Sequence, residues 1–181
     1  MFSTHGFKNT WLSLSLLFIA VGAAPTAFAE SGDVLDNTLK ETAYFHQPND
    51  AHFSAGQPTL EQLHAFAEHG VRHVIDLRPP QEAPDLNNPA QVSQAGMAYY
   101  HIAIAGGDDL TREHVEVLDT ILQRVGDDKV LLHCASANRV GAMMALHAAW
   151  FKDASEDEAV ELGKRYGLTS LETSVRDALN D

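Results

Sequence analysis

The chain has a single cysteine in 181 residues and few cations, 12 Lys and Arg against 25 Asp and Glu. A lone thiol excludes an internal disulfide framework and a zinc site built on several cysteines. The shortage of positive charge argues against a broad electrostatic grip on nucleic acid or on an anionic membrane. Apolar residues are not scarce: at 45% of the chain they can build a core, which excludes a disordered polymer. The length suits one compact domain, and no internal repeat suggests a second. We assign no metal and no cofactor, since His64 and His69 fall five apart and do not share a helix face.

A long apolar run occurs once, at the start. Lys8 precedes the stretch Trp11 to Ala24, and Ala27-Phe28-Ala29 places small residues at the two positions a signal peptidase reads. This reads as a secretory signal over residues 1–29, cleaved after Ala29. Pro25 breaks the run too early for a bilayer-spanning helix, which needs about 20 apolar residues. The expected product is periplasmic or secreted, acidic, and without stable membrane insertion once the signal is removed. In an oxidising compartment a spare thiol is a liability unless it is buried or reactive. Cys134 therefore needs its own explanation.

Residues 30–43 read as an N-terminal segment and 44–181 as the domain. Two short extended pieces flank Pro48-Asn49-Asp50. Thr59 and Gln62 form a candidate capping box for a helix over 60–69, closed by Gly70. Strands are expected over 71–77, 97–104 and 130–133. Helices are expected near 90–94, after Thr111, over 139–152, after Ser155 and over 171–179. Strands alternating with helices predict an α/β fold in which a mainly parallel sheet is flanked by helices. Ligands of such folds collect at the carboxyl ends of the strands, so the loops after Leu77, Ile104 and His133 share one rim.

The informative segment is His133-Cys134-Ala135-Ser136-Ala137-Asn138-Arg139-Val140-Gly141. A strand delivers a cysteine into a loop of small residues, and an arginine follows as a helix begins. Small side chains let the amides of Ala135, Ser136, Ala137, Asn138 and Arg139 surround an oxyanion, the helix start adds positive potential, and the Arg139 guanidinium takes two oxygens at once. The same field stabilises a Cys134 thiolate. The plain alternative is a buried structural cysteine. His133 is either an electrostatic tuner of the thiolate or an ordinary strand histidine.

This loop resembles the phosphate loop of cysteine-dependent protein tyrosine and dual-specificity phosphatases. Phe53 to Thr59 and Val74 to Pro80 are similar to the small bacterial phosphatase-like family related to beta-lactamase hydrolase-like proteins. The resemblance implies attack by Cys134 on a phosphomonoester, a phosphocysteine intermediate, and a phosphorylated protein or small molecule as partner. It also implies a general acid on a rim loop, where Asp108 and Asp109 stand; their alternative role is to cap the following helix. Asp76, Arg78 and Glu82 are candidates to brace Arg139, with a solvated loop charge the preferred reading for Glu82.

The segment departs from the usual pattern in two ways. Four residues separate Cys134 from Arg139, one fewer than the usual tyrosine phosphatase loop and the spacing also found in rhodanese-type sulfurtransferases. Val140 stands where many of these phosphatases carry a hydroxyl that helps the thiolate leave. Three functions follow: an exported phosphatase, a persulfide-carrying sulfurtransferase, or a catalytically weak anion- or phosphoprotein-binding module.

Overall fold

The computed structural model describes residues 37–82 and 88–181. The expected signal over 1–29 and part of the Pro-rich loop, 83–87, lie outside the described residues. Four strands, β1 (His52–Ala55), β2 (Val71–Asp76), β3 (Ala98–His101) and β4 (Lys129–His133), form one parallel sheet in the order β1-β4-β2-β3. The expected parallel α/β architecture is present. Ala55, His133, Asp76 and His101 share one rung of the ladder, so all four strands end together and their exit loops crowd one edge.

Strand β4 is central and apolar on both sides, as a strand covered by helices on each face must be. Its alternation divides the core. Val130 and Leu132 join Ile75 and Leu77 beneath α3 (Arg112–Val125), α4 (Asn138–Phe151), α5 (Glu156–Arg165) and α6 (Glu172–Asn180). Leu131 joins Phe53, Val74 and Phe66 on the other face, covered by α1 (Leu60–Glu68) and α2 (Asn88–Gln94).

Local chemistry sets the helix starts. Thr59 and Gln62 make the reciprocal capping box, and Ser155 with Glu158 makes a second. The Thr111 hydroxyl accepts from His114 N–H at the start of α3. Strand β3 is shorter than the sequence suggests. Beyond His101 the chain still follows β2, through Ile102 N–H to Asp76 O and Ile104 N–H to Leu77 O, without regular ladder geometry. The packed unit also begins before residue 44: Leu39 and Thr42 are buried, and Gly56 N–H donates to Ala43 O.

Helix α4, which bears Arg139, is seated by a backbone-to-backbone approach. A Cβ on Gly141 would stand 2.1 Å from Leu168 N and 2.7 Å from Gly163 O, so only glycine admits the contact between α4 and the end of α5.

Candidate active site

Strand β4 ends at His133, and Cys134 N–H donates to Ala55 O, carrying the chain across to β1. Ala137 then adopts the left-handed conformation (φ 61°, ψ −13°) immediately before α4. A non-glycine residue there carries strain of order 1 kcal/mol. It makes the tight reversal that a four-residue loop needs. The first intrahelical bond of α4 runs from Gly141 N–H to Ala137 O, so the N–H groups of Asn138, Arg139 and Val140 lie ahead of it. These amides sit at the carboxyl edge of the sheet.

Arg139 is 9% exposed and held on two sides. Its guanidinium donates through Nη1 to Glu82 Oε2 (2.7 Å) and to Ile104 O (2.8 Å), and through Nη2 to Glu82 Oε1 (2.7 Å). Burial works against its charge, but Glu82 and then the neighbouring Cys134 sulfur outweigh it and hold the guanidinium above its ordinary value. Glu82 is therefore not the solvated loop charge read from sequence: a one-turn 3-10 helix, Pro80–Glu82, turns its carboxylate onto Arg139. A single turn carries no periodicity and so leaves no local signal.

Asp76 and Arg78 do not brace Arg139. They pair with each other, Arg78 Nε to Asp76 Oδ1 at 3.0 Å and Nη2 to Oδ2 at 2.8 Å, both nearly enclosed. Tyr99 OH donates to the same carboxylate at 3.1 Å. Burial opposes the Asp76 charge, yet Arg78 and the facing His133 keep its carboxyl below the usual range.

His133 is fully buried. Burial first, then the Arg78 charge against partial compensation by Asp76, lowers its pKa to about 4. The imidazole is neutral near pH 7 and supplies no positive charge to Cys134, which corrects the electrostatic reading. Among the described residues its Nδ1 has no hydrogen-bond partner, lying 3.8 Å from Asp76, and its contact with the Cys134 backbone makes it a support for the strand end.

Asn138 contributes differently from its neighbours. Its Oδ1 accepts from Thr169 N–H (2.8 Å) and Leu171 N–H (3.4 Å), and its Nδ2 donates to Ser170 Oγ (2.8 Å). The side chain fastens the 169–171 loop to the site, leaving the backbone amide to face an anion. Ser136 forms an isolated bridge with Gly56, and Ala135 is exposed.

The two candidate acids separate cleanly. Asp109 Oδ2 accepts Ala105 N–H at 2.7 Å and so closes its own loop. Asp108 is exposed, and among the described residues its carboxylate has no partner. A cleft of about 440 Å³ opens over Arg139, walled by Pro79, Gln81, Glu82, Gly106, Asn138 and Leu171. Cys134 and Val140 have no exposed surface and form no part of that wall.

A parallel sheet whose central strand stops at His133, one residue before Cys134, with an arginine at the start of the next helix, is an arrangement shared with the tyrosine and dual-specificity phosphatase class. Over residues 23–178 the chain matches the family described as DSP-PTPase phosphatase fused to NAD+ kinase, and it belongs to that family. It is 29% identical over 118 residues to the beta-lactamase hydrolase-like protein of Xylella fastidiosa, covering 63% of this chain; the match spans only 27% of that relative's length. Among solved structures it resembles a DUF442 protein of Shewanella putrefaciens, a candidate phosphatase, with TM-score 0.61, 21% identity, and 80% and 93% of the two chains covered. Another is P. aeruginosa TpbA in complex with pTyr, at TM-score 0.56 and 12% identity, covering 75% of this chain and 82% of that one. At these identities the solved structures show a shared fold.

Proposed function

We propose that this chain is an exported cysteine-dependent phosphatase that hydrolyses phosphomonoesters. The observation that carries the reading is the Arg139 guanidinium, fixed by Glu82 and Ile104 O beside Cys134 at the start of α4. Family membership and the pTyr-bound neighbour support it.

In this mechanism the Cys134 thiolate attacks phosphorus while loop amides and Arg139 take the equatorial oxygens. The bond to the leaving oxygen breaks, and Asp108 supplies its proton. Water then attacks phosphocysteine, giving its proton to the Asp108 carboxylate, and phosphate leaves with the thiolate restored. Val140 offers no hydroxyl to the departing sulfur, so breakdown of phosphocysteine limits turnover. Asp108 suits the acid role because its carboxylate is unengaged, whereas Asp109 holds the loop.

The closure of Cys134 favours a second reading, a module that binds phosphoryl groups and turns over poorly. Phosphomonoesters assayed with the purified protein and with Cys134→Ser decide between them. Phosphate release lost in Cys134→Ser supports the phosphatase; phosphate protection of Cys134 from iodoacetate without any release supports the module. Thiocyanate formed from thiosulfate and cyanide would instead make the chain a sulfurtransferase. Export is tested by sequencing the N-terminus of the extracytoplasmic form, expected to begin at Glu30; retention of Met1 there would overturn it.

A further inference from the structure

The cleft over Arg139 is poor in cations to a degree that defines what can enter it. Residues 79–82 and 105–106 supply two of its walls, and the sequence from 79 to 111 contains no Lys or Arg, nor do 134–138 or 166–175. Among the described residues Arg139 is the only basic side chain lining the cleft, and Glu82 already balances its charge. Several other cations near this half of the molecule are committed elsewhere. Arg78 is 4% exposed and closed on Asp76. Arg112 lies over the Trp150 ring, 4.8 Å from its centroid, near the far end of α4. Lys164 and Arg176 pair with carboxylates on α5 and α6.

Acidic groups, by contrast, follow closely on the wall residue Gly106. Asp108 is exposed, and Asp109 stands beside it. A bound phosphoryl group finds its partners in the loop amides and one guanidinium. Any further anionic group on the substrate would meet carboxylates without a compensating cation, inside a protein of net charge −13.

Resting on the phosphatase reading above, we propose that the substrate is a phosphomonoester whose carrier is uncharged or basic around the phosphate, and that polyphosphorylated or acid-flanked esters are rejected at this cleft. The selection is electrostatic, so it weakens as salt shortens the screening length from about 10 Å at 0.1 M to about 3 Å at 1 M.

The test measures affinity of full-length Cys134→Ser protein for three phosphotyrosine peptides, flanked by Lys, Ala or Glu, and for their unphosphorylated forms. At low salt the Lys-flanked phosphopeptide is expected to bind at least about tenfold tighter than the Glu-flanked one, and the ratio to fall within about twofold near 1 M salt. Gln81→Lys, which adds a cation to the wall, should cut the low-salt ratio at least about threefold. Equal binding of the three phosphopeptides, or preference for the Glu-flanked one, overturns the inference and leaves the phosphatase reading standing. A ratio unmoved by Gln81→Lys assigns the preference to overall charge and overturns the role of the cleft. Phosphopeptides that bind no better than unphosphorylated peptides overturn both readings.

Discussion

The two sides of the candidate site are built differently. On one side, the loop from Cys134 to Arg139 is joined to the core. It leaves a central strand and enters a helix whose Gly141 touches the backbone at Leu168, and Asn138 fastens the 169–171 segment beneath it. On the other side, Glu82 and Asp108 stand on single 3-10 turns at the surface, held by a few local bonds. Binding an anion needs a fixed ring of dipoles, and the core supplies one. Delivering a proton needs a carboxylate in contact with solvent, and a surface loop supplies that. Substitutions on the core side should therefore disturb folding and chemistry together, while those on the loops should change rate alone.

The largest effect is expected for Cys134→Ser. Turnover of an aryl phosphate should fall by at least about 10⁴-fold while phosphate still binds, since the amides and Arg139 remain. Next comes Gly141→Ala, whose Cβ meets backbone at 2.1 Å. Backbone cannot swing aside as a side-chain tip can, so a loss of about 3 kcal/mol or more is expected in denaturant melts. A neutral outcome would dissolve the claim that the loop is anchored through α4.

Acid should weaken the core side more than the loops. His133 is lowered to about 4 when folded, against 6.5 when exposed. Between those values the unfolded chain holds the extra proton, so stability rises with pH. This contribution is complete above pH 6.5 and is lost as pH falls toward 4, up to about 3 kcal/mol in all. His133→Leu should flatten the curve of stability against pH over that window.

The loop side yields smaller, purely kinetic effects. Asp108→Asn should lower kcat about 100-fold for esters with poor leaving groups and much less for activated aryl phosphates. Asp109→Asn, whose carboxylate is engaged with Ala105 N–H, should show no such dependence on the leaving group. The reverse pattern would exchange their roles. Smallest is Glu82→Gln: it keeps the shape but loses the charge that opposes Arg139, and it should cost about tenfold in kcat/KM with folding stability nearly unchanged.

Legibility in the sequence follows the same division. The core side was readable because it is patterned or spaced: the apolar run Val130–Leu132, capping boxes at Thr59 and Ser155, and the Cys134 to Arg139 interval. The rim was not. Glu82 meets Arg139 across 57 positions through one turn of helix, and no local pattern encodes that contact. Asp76 and Arg78 sit two apart and looked available for Arg139; burial made them partners of each other. The two readings of His133, tuner or strand histidine, stay open in the sequence because its burial depth is a property of the assembled sheet. Asp108 and Asp109 were inseparable in sequence and are separated by one hydrogen bond.

The central claim is that Cys134 receives a phosphoryl group within the cradle that Arg139 completes. Rapid mixing of the purified protein with an activated aryl phosphate, followed by acid quench and peptide mass analysis, tests it most directly. A burst of phenol approaching one equivalent per chain, a slow steady phase, and a phosphoryl group on the peptide containing Cys134 are expected. A steady rate without a burst and with Cys134 unmodified throughout turnover would contradict it.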